Sequence, residues 1–186
     1  MIQAVILAGG FSSRAKSNKM RFLVGDKPLL EHTIESVKPI VEKVIVVTGH
    51  YDQDIKEFIK EDDKVKIVYN KDYEKGMFSS VLTGVNKVNG DFFILPGDIP
   101  FIKKETFDAI LNGTKPVRYP VYQGKEGHPL FIQGFLKEKL LQEPVDSNLK
   151  AFRDKQEKEA IEVNDKNVLR DIDTLEQFEQ MIKERK

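Results

Sequence analysis

Short apolar runs alternate along this chain with segments whose apolar residues fall at helical spacing. Residues 3–7, 44–47, 65–69 and 92–95 are the runs, each of strand length. Residues 29–37, 52–59 and 78–86 have the helical pattern; Ile55, Phe58 and Ile59 share one face, and the first of these helices stops ahead of Pro39. A polar loop, residues 70–76, joins the third strand to its helix. Such alternation packs as a mostly parallel sheet with helices on both faces, a three-layer α/β arrangement. Further on, residues 106–111 are expected to be helical, and strands at 117–121 and 130–132 flank a turn over 124–129. Two short helices are expected within 135–155, and short extended pieces at 161–163 and 168–172. A last helix spans 174–184, with Leu175, Phe178, Met181 and Ile182 on one face. In an open sheet of this kind ligands bind beyond the carboxyl ends of the strands, so the loops after the first, third and fourth strands are the candidate site.

At 186 residues the chain suits one α/β domain, spanning residues 1–186. Its 30 basic and 30 acidic residues cancel, so no net field draws it to nucleic acid or to a membrane, and the basic cluster at residues 14–21 is local. No apolar run reaches the length of a membrane span. With no cysteine, disulfides, thiolate metal ligands and a cysteine nucleophile are excluded. That composition suits a reducing cytosol, and the chain enters its first strand without a charged leader and apolar signal core, so a cytoplasmic location is expected.

The first strand breaks at once into Gly9-Gly10, followed by Ser12, Ser13 and the cations Arg14, Lys16, Lys19 and Arg21. Two glycines let the backbone approach a ligand, and turn N–H groups form an anion-binding concavity. Arg14 can grip a phosphate with its fork and Lys19 can act as a movable point charge. This is neither G-x-x-x-x-G-K-[ST] nor G-x-G-x-x-G, so a Walker-type ATPase and a dinucleotide-binding unit are both unsupported. A second signal is Asp98, which ends the fourth strand between Pro96-Gly97 and Ile99-Pro100. A carboxylate in that place suits Mg²⁺, which takes one or two carboxylates and leaves its other positions to phosphate oxygens and water; the alternative is a turn aspartate. Asp171 and Asp173 share one face of an extended segment and could complete a magnesium site; equally, Asp173 with Glu176 could cap the last helix. Gly76-Met77-Phe78-Ser79-Ser80 opens a helix, with N–H groups and hydroxyls that could face a ligand or serve only as its cap. His128, between Gly127 and Pro129, stands in a sharply shaped loop as either a structural or a substrate-contacting residue. His32 and His50 are expected to be surface or packing residues.

The segment LAGGFSSR with Lys19, followed by Gly25-Asp26-Lys27-Pro28-Leu29-Leu30, resembles the signature of the MobA-like nucleotidyltransferases with a GT-A-like Rossmann fold. Leu7, Ala8, Gly9, Gly10, Ser12, Arg14 and Lys19 match the family's nucleotide loop, whereas Ala15 and Lys16 stand where it usually has Met or Phe and Gly. The resemblance implies that Arg14, Lys19 and Asp98 are catalytic and that Asp98, with Asp171 or Asp173, binds Mg²⁺. It also implies that Gly76, Met77 and Ser80 lie against the nucleotide base, as the G-M-x-x-S of the cytidylyl-transferring branch does. The G-H-P at 127–129 is similar to that of the molybdenum cofactor cytidylyltransferases, which implies acceptor contacts from His128, Asp146 and Lys150. Where that branch has G-D-x-G-x-R, this chain keeps only Asp146 and, in place of the arginine, Lys150. The implied partners are an NTP, with CTP the expected one, and a phosphorylated small-molecule acceptor such as molybdopterin, with release of pyrophosphate. GMP transfer, transfer to a sugar phosphate, and nucleotide binding without catalysis are the alternatives.

Overall fold

A computed structural model describes residues 1–10, 18–169 and 175–183. It contains an eight-stranded sheet with helices on both faces. In chain order the elements begin with β1 (Ile2–Ala8), the two-residue hairpin strands β2 (Leu23–Val24) and β3 (Lys27–Pro28), α1 (Leu29–Val37), β4 (Lys43–Thr48), α2 (Asp52–Phe58), β5 (Val65–Tyr69) and α3 (Met77–Val85). They continue with β6 (Asp91–Pro96), α4 (Lys104–Leu111), β7 (Val117–Tyr122), β8 (Lys125–Glu126), β9 (Leu130–Ile132), α5 (Lys137–Leu141), α6 (Leu149–Asp154), β10 (Lys158–Glu162) and α7 (Leu175–Lys183).

The main sheet runs β10-β7-β9-β6-β1-β4-β5, with β8 paired to β7. Strands β6, β1, β4 and β5 are mutually parallel, and β10 is parallel to β7; β9 is antiparallel to both β6 and β7. The chain steps from β1 outward to β4 and β5, then crosses back to lay β6 on the other side of β1. The order therefore reverses between β1 and β6. A crevice opens there because the connections leave those two strand ends in opposite directions.

Alternation along the central strands builds two cores. Ala4, Ile6, Val44, Val46, Phe93 and Leu95 face Leu30, Ile34 and Val37 of α1, Ile55 of α2 and Phe107 and Ile110 of α4. Val5, Leu7, Ile45, Val47, Phe92 and Ile94 face Phe78, Val81 and Val85 of α3, Leu140 of α5 and Phe152 of α6. Burying each such large side chain contributes roughly 2 kcal/mol. Helix α3 lies especially close: a Cβ at Gly84 would fall 2.3 Å from Val5 Cγ1 and 2.8 Å from Val47 Cγ2.

Most expected elements stand within a residue or two of their expected bounds; the C-terminal region differs. The strand expected at 161–163 is β10, beginning at Lys158 on the sheet edge, where alternate residues, Lys158, Ala160 and Glu162, are exposed. The extended piece expected at 168–172 begins instead as a 3-10 turn, Lys166–Leu169, with residues 170–172 outside the described part. The cause is Asp165, buried and accepting from Lys103 N (2.8 Å), Thr106 Oγ1 (2.9 Å) and Asn167 N (3.1 Å), which bends the chain at that point.

Candidate active site

The ends of β1 and β6 stand side by side at the point where the strand order reverses, with Leu7 opposite Pro96 in register. Gly97 N donates to Leu7 O at 2.9 Å, so the turn after β6 is tied to the last residues of β1. A Cβ on Gly97 would meet Leu30 Cδ1 at 3.0 Å, Met20 Sδ at 3.1 Å and Leu7 O at 3.2 Å, and Thr33 Oγ1 donates to Gly97 O at 2.8 Å. The turn is thus packed from three sides, and Asp98 follows it with little freedom. Its residue is 6% exposed.

The two oxygens of that carboxylate have different surroundings. Oδ2 accepts from Lys19 Nζ in an ion pair, while Oδ1 is buried and has no hydrogen-bond partner among the described residues. Buried carboxylate oxygens are ordinarily satisfied, so one without a partner calls for an explanation, and a catalytic role or a bound water or ion is among those that apply. Lys19 is placed by a 3-10 turn, Lys19–Arg21, whose first N–H groups are capped by Asn18: Met20 N donates to Asn18 Oδ1 at 3.2 Å. Asn18 Nδ2 and Arg21 Nη1 both donate to Asp54 on α2, which straps this turn to the neighbouring helix.

On the β1 side, Leu7, Ala8 and Gly9 are buried and Gly10 is exposed. Gly9 is required sterically: a Cβ there would lie 2.8 Å from Ser80 Oγ. Ser80, expected against the nucleotide, sits underneath that glycine, buried, and its Oγ accepts from Asn70 Nδ2 at 3.0 Å. The same amide donates to Ser79 Oγ at 2.8 Å, and Thr83 Oγ1 donates to Asn70 Oδ1 at 3.2 Å. Asn70, at the end of β5, thereby locks the start of α3 against the glycine turn. Gly76 takes φ +99°, open to glycine and strained for other residues, and α3 begins there without a side-chain cap. Its first residue, Met77, is 69% exposed.

A cleft of about 370 Å³ joins these parts, with Leu7, Met77, Asp98, Glu126, His128 and Leu149 among its walls. His128 is held through its backbone, His128 N donating to Val168 O at 2.9 Å. A neighbouring hollow of about 220 Å³ is lined by Gly76, Met77, Asp146 and Leu149 among others, so Met77 and Leu149 divide the two spaces. Lys150 is exposed on the first turn of α6 and lines neither. The structure thus brings Leu7, Met77, Asp98 and His128 into one cleft, with Lys19 paired to Asp98 and with Gly76 and Asp146 next door. Ser12, Arg14, Asp171 and Asp173 lie outside the described residues.

The sequence does not single out Glu126, Leu149 or Asn70. Glu126 carries the clearest signal in retrospect, since it directly precedes Gly127-His128. Its carboxylate lines the cleft and accepts from Arg153 Nη2 at 2.9 and 3.2 Å; Arg153 is buried, its guanidinium 4.2 Å from the Tyr119 ring. Of the two residues expected at the surface or in packing, His32 packs, its ring 4.7 Å from that of Phe101, and His50 is exposed and meets Tyr51 edge-on at 4.6 Å.

Among the described residues no group of three or more carboxylate or imidazole side chains could hold a metal. The open Oδ1 of Asp98 nevertheless fits a hard cation that takes one carboxylate and completes its shell from phosphate oxygens and water. Also among the described residues, no helix is long and apolar enough to cross a membrane.

The model of the MobA-like NTP transferase domain matches residues 4–161, most of the chain. The chain belongs to the MobA-like NTP transferase family. A molybdenum cofactor cytidylyltransferase of Escherichia coli strain K12 is 25% identical over 179 residues, covering 95% of this chain and 93% of the relative. A probable molybdenum cofactor guanylyltransferase of Natranaerobius thermophilus is 27% identical over 167 residues, covering 82% and 79%. In three dimensions, a nucleotidyl transferase from Methanothermobacter thermautotroptrophicus superposes with a TM-score of 0.84 at 21% identity over 99% of this chain and 97% of the other, a likeness of fold. The Rossmann-like, mostly parallel fold expected from the sequence is the one observed.

Proposed function

We propose that this protein transfers a nucleotidyl group, CMP, from CTP to a phosphorylated small molecule such as molybdopterin, with a divalent cation, Mg²⁺, held by Asp98. The observation that carries the reading is the Asp98 carboxylate: buried at the switch point, next to the glycine turn, paired to Lys19 on one oxygen and open on the other. An oxygen of the acceptor phosphate attacks the α-phosphorus of CTP, the bond from that phosphorus to its bridging oxygen breaks, and pyrophosphate leaves. The acceptor phosphate is already an ionised nucleophile, so catalysis consists mainly of positioning and charge neutralisation. Gly9 and Gly10, with Ser12 and Arg14, bring backbone N–H groups and a guanidinium to the triphosphate. Lys19 meets negative charge on the transferring phosphoryl group. A bound cation would offset charge on the donor phosphates, and Asp171 or Asp173 would be its second carboxylate. His128, Asp146 and Lys150 receive the acceptor.

Support for CMP over GMP comes from Gly76 and Met77. The exposed Met77 narrows the space at the start of α3, and a pocket floored by it suits a pyrimidine better than the larger purine. Pyrophosphate release measured with molybdopterin and Mg²⁺ tests the reading: release with CTP well above that with GTP, ATP or UTP is expected. Preference for GTP would reassign the base while keeping nucleotidyl transfer. Nucleotide binding with no pyrophosphate from any acceptor would leave a binding module.

A further inference from the structure

We infer that Lys19 is the resident counter-ion of the metal-holding carboxylate, so that divalent cation and nucleotide bind this site as a coupled pair rather than independently; this rests on the assignment of the cation to Asp98. The ion pair joins side chains that are 13% and 8% exposed, so neither charge is well solvated. Its ammonium occupies Oδ2 while Oδ1 stays open. A divalent cation arriving at Oδ1 meets a positive charge held on the same carboxylate, where water screens it poorly. Withdrawing Lys19 by itself removes the repulsion but breaks a poorly solvated ion pair, which is costly.

A triphosphate resolves that conflict. It offers Lys19 a denser negative charge than Asp98 does, and once Lys19 turns to the phosphates both oxygens of Asp98 are available to the cation. The reverse also holds: a cation on Asp98 releases Lys19 to the phosphates. Coupling of this kind is reciprocal, each ligand raising the affinity of the other by one factor. Lysine suits the task, being a compact charge on a flexible stem. The backbone beneath it is held by the Asn18 cap and the strap to Asp54, so the side chain can swing without moving the turn.

The test uses Mn²⁺ alone as probe, followed by the electron-spin signal of the free ion at pH 8, on nucleotide-free wild type, Lys19→Met and Asp98→Asn. Circular dichroism checks that each variant is folded. Lys19→Met is expected to bind Mn²⁺ about tenfold or more tighter than wild type, since it removes the competing charge, and Asp98→Asn to lose the site. A mirror experiment measures inorganic tripolyphosphate binding by calorimetry in EDTA. There Asp98→Asn is expected to bind several-fold tighter than wild type, because a neutral amide holds Lys19 less strongly than the carboxylate does. If Lys19→Met binds Mn²⁺ no tighter while Asp98→Asn abolishes binding, the coupling is overturned and the metal assignment stands. If Asp98→Asn binds Mn²⁺ like wild type, the metal assignment itself falls, and the coupling with it. Should Lys19→Met not fold, the tripolyphosphate experiment decides: no gain in Asp98→Asn overturns the coupling.

Discussion

At Asp98, one carboxylate oxygen is neutralised by Lys19 and the other has no partner among the described residues, an arrangement with little use in a residue that only turned the chain. Asparagine is nearly the same shape and still accepts from Lys19, but it lacks the charge a cation needs. Asp98→Asn is therefore expected to lower the pyrophosphate-release rate by at least about a hundredfold while leaving the melting temperature within a few degrees. Near wild-type turnover would remove Asp98 from the chemistry. Glu126 presents the opposite balance, since its partner is the more deeply buried of the two: the Arg153 side chain is 9% exposed and that of Glu126 46%. Deleting the carboxylate strands a buried guanidinium, although Asp154 still accepts from Arg153 Nε at 3.1 Å. Glu126→Ala is expected to cost about 2 kcal/mol in chemical denaturation, with Glu126→Gln recovering part of it. A cost near zero for both would show that Arg153 is held by Asp154 and its ring contact alone.

Among the elements, α3 is the one whose position matters most to the site, and it is set by contact rather than by helix propensity. Gly84 lets the helix sit against Val5 and Val47, and Asn70 ties its first turn beneath Gly9. Alanine is the better helix former, yet Gly84→Ala would place its Cβ inside both valines. The expected outcome is a loss of roughly 1–3 kcal/mol in urea unfolding, with weakened nucleotide binding as α3 moves outward. A gain in stability would mean that helix and sheet separate at no cost. At the start of β5, Asp62 accepts from Lys38 Nζ, Val65 N (2.7 Å) and Lys64 N (2.8 Å), and these interactions lower its carboxyl from the ordinary 3.8 to about 2. The sign follows from the depression: the ionised form is favoured in the folded chain, so its stabilisation is present above pH 4 and is lost as the pH falls toward 2. In melts between pH 6 and 2, the difference between wild type and Asp62→Asn should be constant down to about pH 4 and then close. A constant gap at all pH values would mean that the effect is not one of charge.

Across the whole molecule, the two hydrophobic cores share the strands β1, β4 and β6 as a common wall. Neither core can be exposed without stripping that wall of half its packing, so one cooperative transition is expected, with circular dichroism and tyrosine fluorescence coinciding in denaturant. Separated transitions would divide the chain into independent units. The order of strands and helices is legible in the sequence because length and periodicity of apolar residues are local properties, set within a few residues of each other. The glycine turn, Asp98 and the MobA-like signature are legible for the same reason, being contiguous. The edge strand β10 is harder to read, since an edge can keep its charges in water and shows no apolar run. Ser80 and Asn70 carry no local sign that they are buried under Gly9. Nor does anything near Lys19 announce that its partner lies 79 positions away, or anything near Glu126 that Arg153 will hold it from 27 positions away. Those pairings depend on parallel crossovers that bring distant strand ends together. Local pattern specifies which elements form and which groups could do the chemistry; the packing of the folded chain settles which of those groups meet, because burial and ion pairing are properties of neighbours in space.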